Sequence, residues 1–258
     1  MNRPKIPADV RRLLRREVGF GCPVPDCGRP YLEWHHFDPP WKDEQHNRPE
    51  GMIALCVEHH KQADNGAFTK EQLHAFKKNG MESWAAVSGK FNWMRNDILA
   101  VVGGNFYYKT PVIFQLNDDP IIWFNRDENN YLLLNITMLT TSGEDRAAVR
   151  DNEWSNTGGE VDIQCPPSAR SLDIKYKNGD RVCIEFFEIA SIEELKKRYS
   201  DTQPESWGVN FPVTAVEVTN VVAGSGINFS AKRTSIGGGV LRGNFASNCG
   251  AGIALNTD

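Results

Sequence analysis

The spacing of apolar positions changes character near residue 95. Before that point the pattern is helical or absent. Residues 8–19, "ADVRRLLRREVG", predict a short helix with Arg11, Arg12, Arg15 and Arg16 at i, i+1, i+4 and i+5, spread over adjoining faces. Residues 21–51, "GCPVPDCGRPYLEWHHFDPPWKDEQHNRPEG", show no helical period and are dense in proline and glycine. A stretch of that composition must be ordered by something other than an apolar core. "MIALCVEHHKQADNG" (52–66) predicts a helix that Asn65-Gly66 can stop, and "TKEQLHAFKKNG" (69–80) another with Gly80 as C-cap.

Beyond residue 95 the runs become short, apolar or alternating: "ILAVVGG", "FYYKTPVIFQL", "PIIWF", "YLLLNITMLTT" and "FPVTAVEVTNVV". "SLDIKYKNGDRVCIEFFEI" predicts a hairpin around Asn178-Gly179. Ser191 and Glu194 have the spacing of a capping box for one small helix, "SIEELKKRYS". From residue 224 onward, 8 of the 22 glycines separate short apolar pieces, the pattern of tight turns in a β tail. The expected fold is α+β: a small N-terminal domain over residues 1–80, a linker at 81–95, and a mainly β, sandwich-like domain over 96–258 with a glycine-rich tail.

Composition changes this picture little, but the distribution of charge changes it more. The 258 residues are 40% hydrophobic and 24% charged, ordinary for a globular chain, and no run approaches the ~18 apolar residues of a membrane span. The first residues lack the apolar core of a secretory signal, which places the expected location in the cytoplasm, where cysteines serve as thiols or metal ligands. The net charge is −4, divided into +2 over residues 1–80 and −6 over the remainder. Any affinity for nucleic acid therefore belongs to the N-terminal part.

That part also holds all six histidines, five of them between residues 35 and 60. Cys22 and Cys27 flank a proline turn, "CPVPDC", and Cys56 and His59 stand at i and i+3 on one helix face. Together they make a Cys3His tetrahedral set of the kind that holds structural Zn2+. Adjacent helix positions diverge by about 100°, so His60 points away from that set. Asp64, one turn on, pairs with His60 at i, i+4 as ligands for a second ion. In "LEWHH" alternate residues face opposite sides, so one of His35 and His36 can join this ion while the other faces a substrate.

With its basic helix, its "GC…CG", the histidine pair after an acidic residue, and "IALC" running into a histidine-rich helix, the segment 8–80 resembles the HNH endonuclease family. That family has the ββα-metal, or His-Me finger, fold. The resemblance implies His36 as general base, and His35, His60 and Asp64 as holders of a catalytic divalent ion. Mg2+ or Mn2+ is the expected ion, with Zn2+ and Ni2+ as further candidates. It also implies Arg11, Arg12, Arg15, Arg16, Arg29 and Lys61 as phosphate contacts on double-stranded DNA. Gly51 stands where the family carries an asparagine, with Asn47 as the residue that could substitute.

The expected function is then metal-dependent hydrolysis of DNA by an effector regulated through its β domain. That domain would bind a regulatory protein or oligomerise, and defence against foreign DNA is a setting suggested by analogy. The competing expectation is a non-catalytic zinc module that binds nucleic acid or protein, for which Gly51 is the main support. His46 is expected in an exposed loop, His74 partly buried on its helix, and Cys165, Cys183 and Cys249 as buried thiols.

Overall fold

A computed structural model describes residues 5–80, 87–144, 146–200 and 202–256; within them the chain is α+β with mostly antiparallel sheets. The N-terminal part contains α1 (Ala8–Glu17), β1 (Leu32–His36), β2 (Met52–Cys56), α2 (Val57–Asp64) and α3 (Lys70–Asn79). The helix expected from residue 52 starts only at Val57. Met52–Cys56 is instead a strand, buried at all five positions and paired antiparallel to β1 from Leu32↔Cys56 to His36↔Met52. A continuous apolar run such as "MIALC" has no period, so a buried strand and a buried helix look alike in sequence. α3 begins with a capping box between Thr69 and Gln72. Gly80 is not a left-handed cap: its φ is −51°, and a Cβ there would lie 2.6 Å from Val18 Cα. Close approach to the end of α1 is what requires glycine at this position.

The β region contains β3 (Val87–Lys90), β4 (Ile98–Val102), β5 (Asn105–Tyr108), β6 (Val112–Leu116), β7 (Asp119–Arg126), β8 (Leu132–Thr137), β9 (Ala148–Arg150) and β10 (Glu153–Asn156). It continues with β11 (Glu160–Gln164), β12 (Ser171–Tyr176), β13 (Arg181–Ile189), α4 (Ile192–Arg198) and β14 (Val213–Val221). The tail adds β15 (Asn228–Phe229), β16 (Thr234–Ile236), β17 (Gly239–Leu241), β18 (Phe245–Ser247) and β19 (Ala251–Leu255). One sheet has seven strands in the order β19-β6-β7-β8-β9-β10-β3, and a second has ten, built around β11 to β17 with β4, β5 and β18. A single core takes side chains from both, including Phe114, Ile122 and Trp154 of the first and Ile174, Phe186 and Val218 of the second. The tail is no independent solenoid, because β18 and β19 add parallel edges to β5 and β6.

The expected linker is largely structural. Residues 81–86, Trp84 among them, lie outside the described residues. Val87–Lys90 pairs with β10, Phe91 is fully buried, and Trp93 stacks on Phe186 with ring centroids 5.7 Å apart. The β region thus begins by residue 87, not 96. The N-terminal part also packs against it: Phe20 joins the large core, and the Tyr31 hydroxyl donates to Lys90 O and accepts from Lys90 N. No described helix is long and apolar enough to cross a membrane.

Candidate metal centres

The proline-rich turn and the start of α2 bring Cys22, Cys27, Cys56 and His59 together, their ligand atoms all within 4.8 Å of one another. Cys22 Sγ lies 3.3 Å and Cys56 Sγ 3.4 Å from His59 Nδ1, and Cys27 Sγ lies 3.7 Å from Cys56 Sγ. Zinc bonds of ~2.3 Å to sulfur and ~2.0 Å to nitrogen, at the tetrahedral angle, require sulfurs ~3.8 Å apart and sulfur–nitrogen pairs ~3.5 Å apart. These three separations match that spacing. Burial pushes the Cys22 and Cys27 thiols upward, and their proximity to Cys56 adds to the cost of thiolate charge. A divalent cation is the group that reverses both effects. No described cysteine is in a disulfide. Of the three remote cysteines, Cys165 is buried and Cys183 half-buried, while Cys249 is exposed, contrary to expectation.

A second cluster lies across the β1–α2 packing. His35, His60 and Asp64 also place their ligand atoms within 4.8 Å. His35 Nδ1 is 3.1 Å from Asp64 Oδ1, and His60 Nε2 is 3.8 Å from Asp64 Oδ2. Strand alternation puts Glu33 on the same side as His35. Its Oε2 sits 2.7 Å from His60 Nδ1, so the ring proton goes to Nδ1 and the lone pair to Nε2, toward Asp64. In the sequence Glu33 figured only as the acidic residue before the histidine pair, and its contact with His60 was not expected.

The cluster opens onto a cavity of about 590 Å³ that His36 also lines. His36 is 5% exposed, and its Nε2 is 2.8 Å from His46 O. Donation to a carbonyl assigns the proton to Nε2 and leaves Nδ1 as the basic nitrogen. His46 is not the exposed loop residue expected. It is buried, its Nε2 donating to Pro39 O and its Nδ1 accepting from Arg48 N–H. Gly51 explains the burial: a Cβ there would fall 2.0 Å from Asp38 O and 2.9 Å from His46 Cε1. No asparagine fits at 51, and the orienting contact to His36 comes from the His46 carbonyl instead. Asn47 sits beside this loop with its Oδ1 buried and unpartnered. His74 is exposed and bonds Asp38.

The expected basic surface needs correction. Arg15 is 7% exposed and makes two hydrogen bonds to Asp162, at 2.9 and 2.8 Å, so it does not face a phosphate. Arg29 is exposed but paired with Glu58 at 2.6 Å. Arg16 and Lys61 are exposed, and Arg12, also exposed, lies 3.9 Å from Asp162. Arg11 lines a second cavity of about 420 Å³ that shares Glu33 and His60 with the metal cluster. The cations that line the His36 cavity are Lys42 and Lys70, neither of them expected from sequence. Compared with protein-family models, curated proteins and solved structures, the chain matches none of them.

Proposed function

We propose that the chain is a metal-dependent endonuclease of the HNH kind, hydrolysing phosphodiester bonds of double-stranded DNA. One observation carries this reading: His35, His60 and Asp64 converge beside a ring, His36, whose tautomer is held by a backbone carbonyl within one open cavity. β1, β2 and α2 then form the ββα unit. The Cys3His set holds Zn2+ that orders the proline-rich turn, and the second cluster takes Mg2+ or Mn2+. His35, His60 and Asp64 would hold this ion. The ion supplies Lewis-acid stabilisation of the charge that builds on the phosphate and the leaving oxygen.

The chain's own residues do the rest. His36 Nδ1 takes a proton from the attacking water, while Nε2–H stays on His46 O and keeps the ring from turning. Glu33 orients His60. Lys42 supplies a phosphate contact beside the reacting group, contributing affinity that falls with salt, while Lys70 in the same cavity is paired with Asp38 at 2.9 Å. The Trp41 ring, edge-on to His36 with centroids 4.8 Å apart, helps to fix the imidazole in place. The β region is the natural seat of control over this site, through a regulatory partner or self-association.

The test is plasmid cleavage by the full chain with Mg2+ or Mn2+. His36→Ala is expected to lower the rate by ~10²- to 10⁴-fold while metal content stays unchanged. Lack of any cutting by the wild-type chain with Mg2+, Mn2+, Ni2+ or Zn2+ would return the chain to the class of zinc-bound binding modules, and full activity in His36→Ala would remove His36 as the base.

A further inference from the structure

Residues 81–258 carry a net charge of −6, yet one cavity in this acidic region is ringed by cations. It measures about 330 Å³, and its wall includes Arg198, Lys232 and Arg242, with Glu217 as the one carboxylate among the described residues. Arg198 and Tyr199 come from the end of α4 and Glu217 from β14. Lys232 comes from the turn between β15 and β16, and Arg242 from the turn after β17. Four distant parts of the sequence therefore meet there, two of them from the glycine-rich tail.

The cation-bearing turns are held by backbone, not by their own charges. Gly104 has φ +70°, and a Cβ on it would lie 2.3 Å from the Lys232 carbonyl carbon. Gly243 N–H donates to Gly104 O at 2.9 Å. The turn between β4 and β5 thus fixes both tail loops at once. Lys232 and Arg242 have no hydrogen bond or ion pair among the described residues. Arg198 reaches Glu185 and Glu217 only at 3.4 Å, longer than the ~2.7–2.9 Å of a good charged pair. Glu217 is already bound at 2.5 Å by the Tyr199 hydroxyl. Three cations converge, and the protein neutralises them only in part.

We propose that this cavity binds a nucleoside phosphate. Phosphate oxygens suit the two unpaired cations, Lys232 and Arg242, beside the Arg198 guanidinium, which stacks 3.7 Å over the Phe187 ring. Glu217 can accept N–H groups of a base, and the half-buried Tyr199 ring, packed edge-on against the buried Phe106, lines the cavity beside it. The volume is at the small end of ligand sites, ~300–1,000 Å³, which suits a mononucleotide and excludes a duplex. The site is separate from the histidine cleft and stands whether or not that cleft cuts DNA.

Calorimetric titration of the full chain with ATP, pyrophosphate and adenosine, with no divalent ion added, tests it. ATP is expected to bind, pyrophosphate at least ~10-fold more weakly, and adenosine not measurably. The double variant Lys232→Gln/Arg242→Gln should weaken ATP binding by at least ~10-fold. Both side chains are exposed, so its melting curve should match the wild type. Lys42→Gln/Lys70→Gln, in the histidine cleft, should bind ATP as the wild type does. Absence of ATP binding, wild-type affinity in the tail variant, or loss only in the cleft variant overturns the site. Equal affinity for pyrophosphate and ATP overturns the assignment of a base.

Discussion

Glu33 decides which nitrogen of His60 faces Asp64. With its carboxylate 2.7 Å from Nδ1, the imidazole is held as the tautomer whose Nε2 can bind a cation. Removing such an orienting partner typically costs ~10- to 100-fold in metal affinity. Glu33→Ala should therefore weaken Mn2+ binding at the second cluster by that factor and leave the Cys3His set full. Competition titration against a chelating dye reads it, and unchanged Mn2+ affinity would show that Glu33 is merely a surface partner of His60. At this scale the sequence was informative wherever spacing alone places side chains. His60 and Asp64 at i, i+4 needed no tertiary information, while strand alternation left His35 and His36 as alternatives that only the family resemblance decided. His46 and Gly51 did: nothing local says that Asp38 O will come within 2.0 Å of a Cβ at 51. Only the folded loop reveals why glycine replaces the expected asparagine and why His46, not Asn47, supports His36. The main argument for a non-catalytic module rested on Gly51, and it weakens accordingly.

Among the elements, those with a strong period or a clear turn were legible, and those without were not. The hairpin of β12 and β13 turns at Gly179, whose φ is +95° as such a turn requires, and α4 begins at Ser191 as its cap predicted. β3, with the sequence "VSGK", has no alternating apolar pattern and exists because β10 lies beside it. The knuckle of residues 20–30 is the opposite case, an element with hardly any regular hydrogen bonding that the ligand set implied. Its backbone ties are few, among them Cys22 N to Arg29 O and Gly28 N to Cys22 O. Removal of Zn2+ by a strong chelator, or Cys27→Ser, should release it. Phe20 and Tyr31 pack on the large core, so the loss will reach the junction with the β region instead of stopping at residue 60. Hydrogen exchange should rise over residues 20–31 and 54–60 while the β12–β13 hairpin keeps its protection. A Cys27→Ser chain with full zinc content and an unchanged exchange map would show that the four residues are not the ligand set.

Across the whole molecule, the sequence suggested two units joined by a linker, and the contacts indicate two regions docked through a buried charge pair. Arg15 was read as a phosphate contact because four arginines on one short helix look alike in sequence. They differ only in what faces them. Asp162, 2% exposed and 147 residues away, takes both hydrogen bonds of the Arg15 guanidinium. It accepts another from Gln164 Nε2 at 2.9 Å and lies 3.9 Å from Arg12, and the Trp34 ring stands 5.8 Å from the guanidinium. Burial pulls the Arg15 pKa below its ordinary value and Asp162 pulls it back up, the signature of an ion that depends on its partner. Removing one member of such a pair leaves the other charged and dry, at a cost of ~3–5 kcal/mol, whereas replacing both by apolar groups is often near neutral. Asp162→Asn should therefore destabilise the chain by ~3–5 kcal/mol, and Arg15→Met/Asp162→Leu should recover most of that loss. Denaturant unfolding of the three chains reads both numbers. If Asp162→Asn unfolds within ~0.5 kcal/mol of the wild type, the pair does not hold the regions together. If it is destabilising as expected, α1 becomes the mechanical link between the β region and the histidine cleft, since the same helix carries Arg15 at the junction and Arg11 in the cavity beside His60.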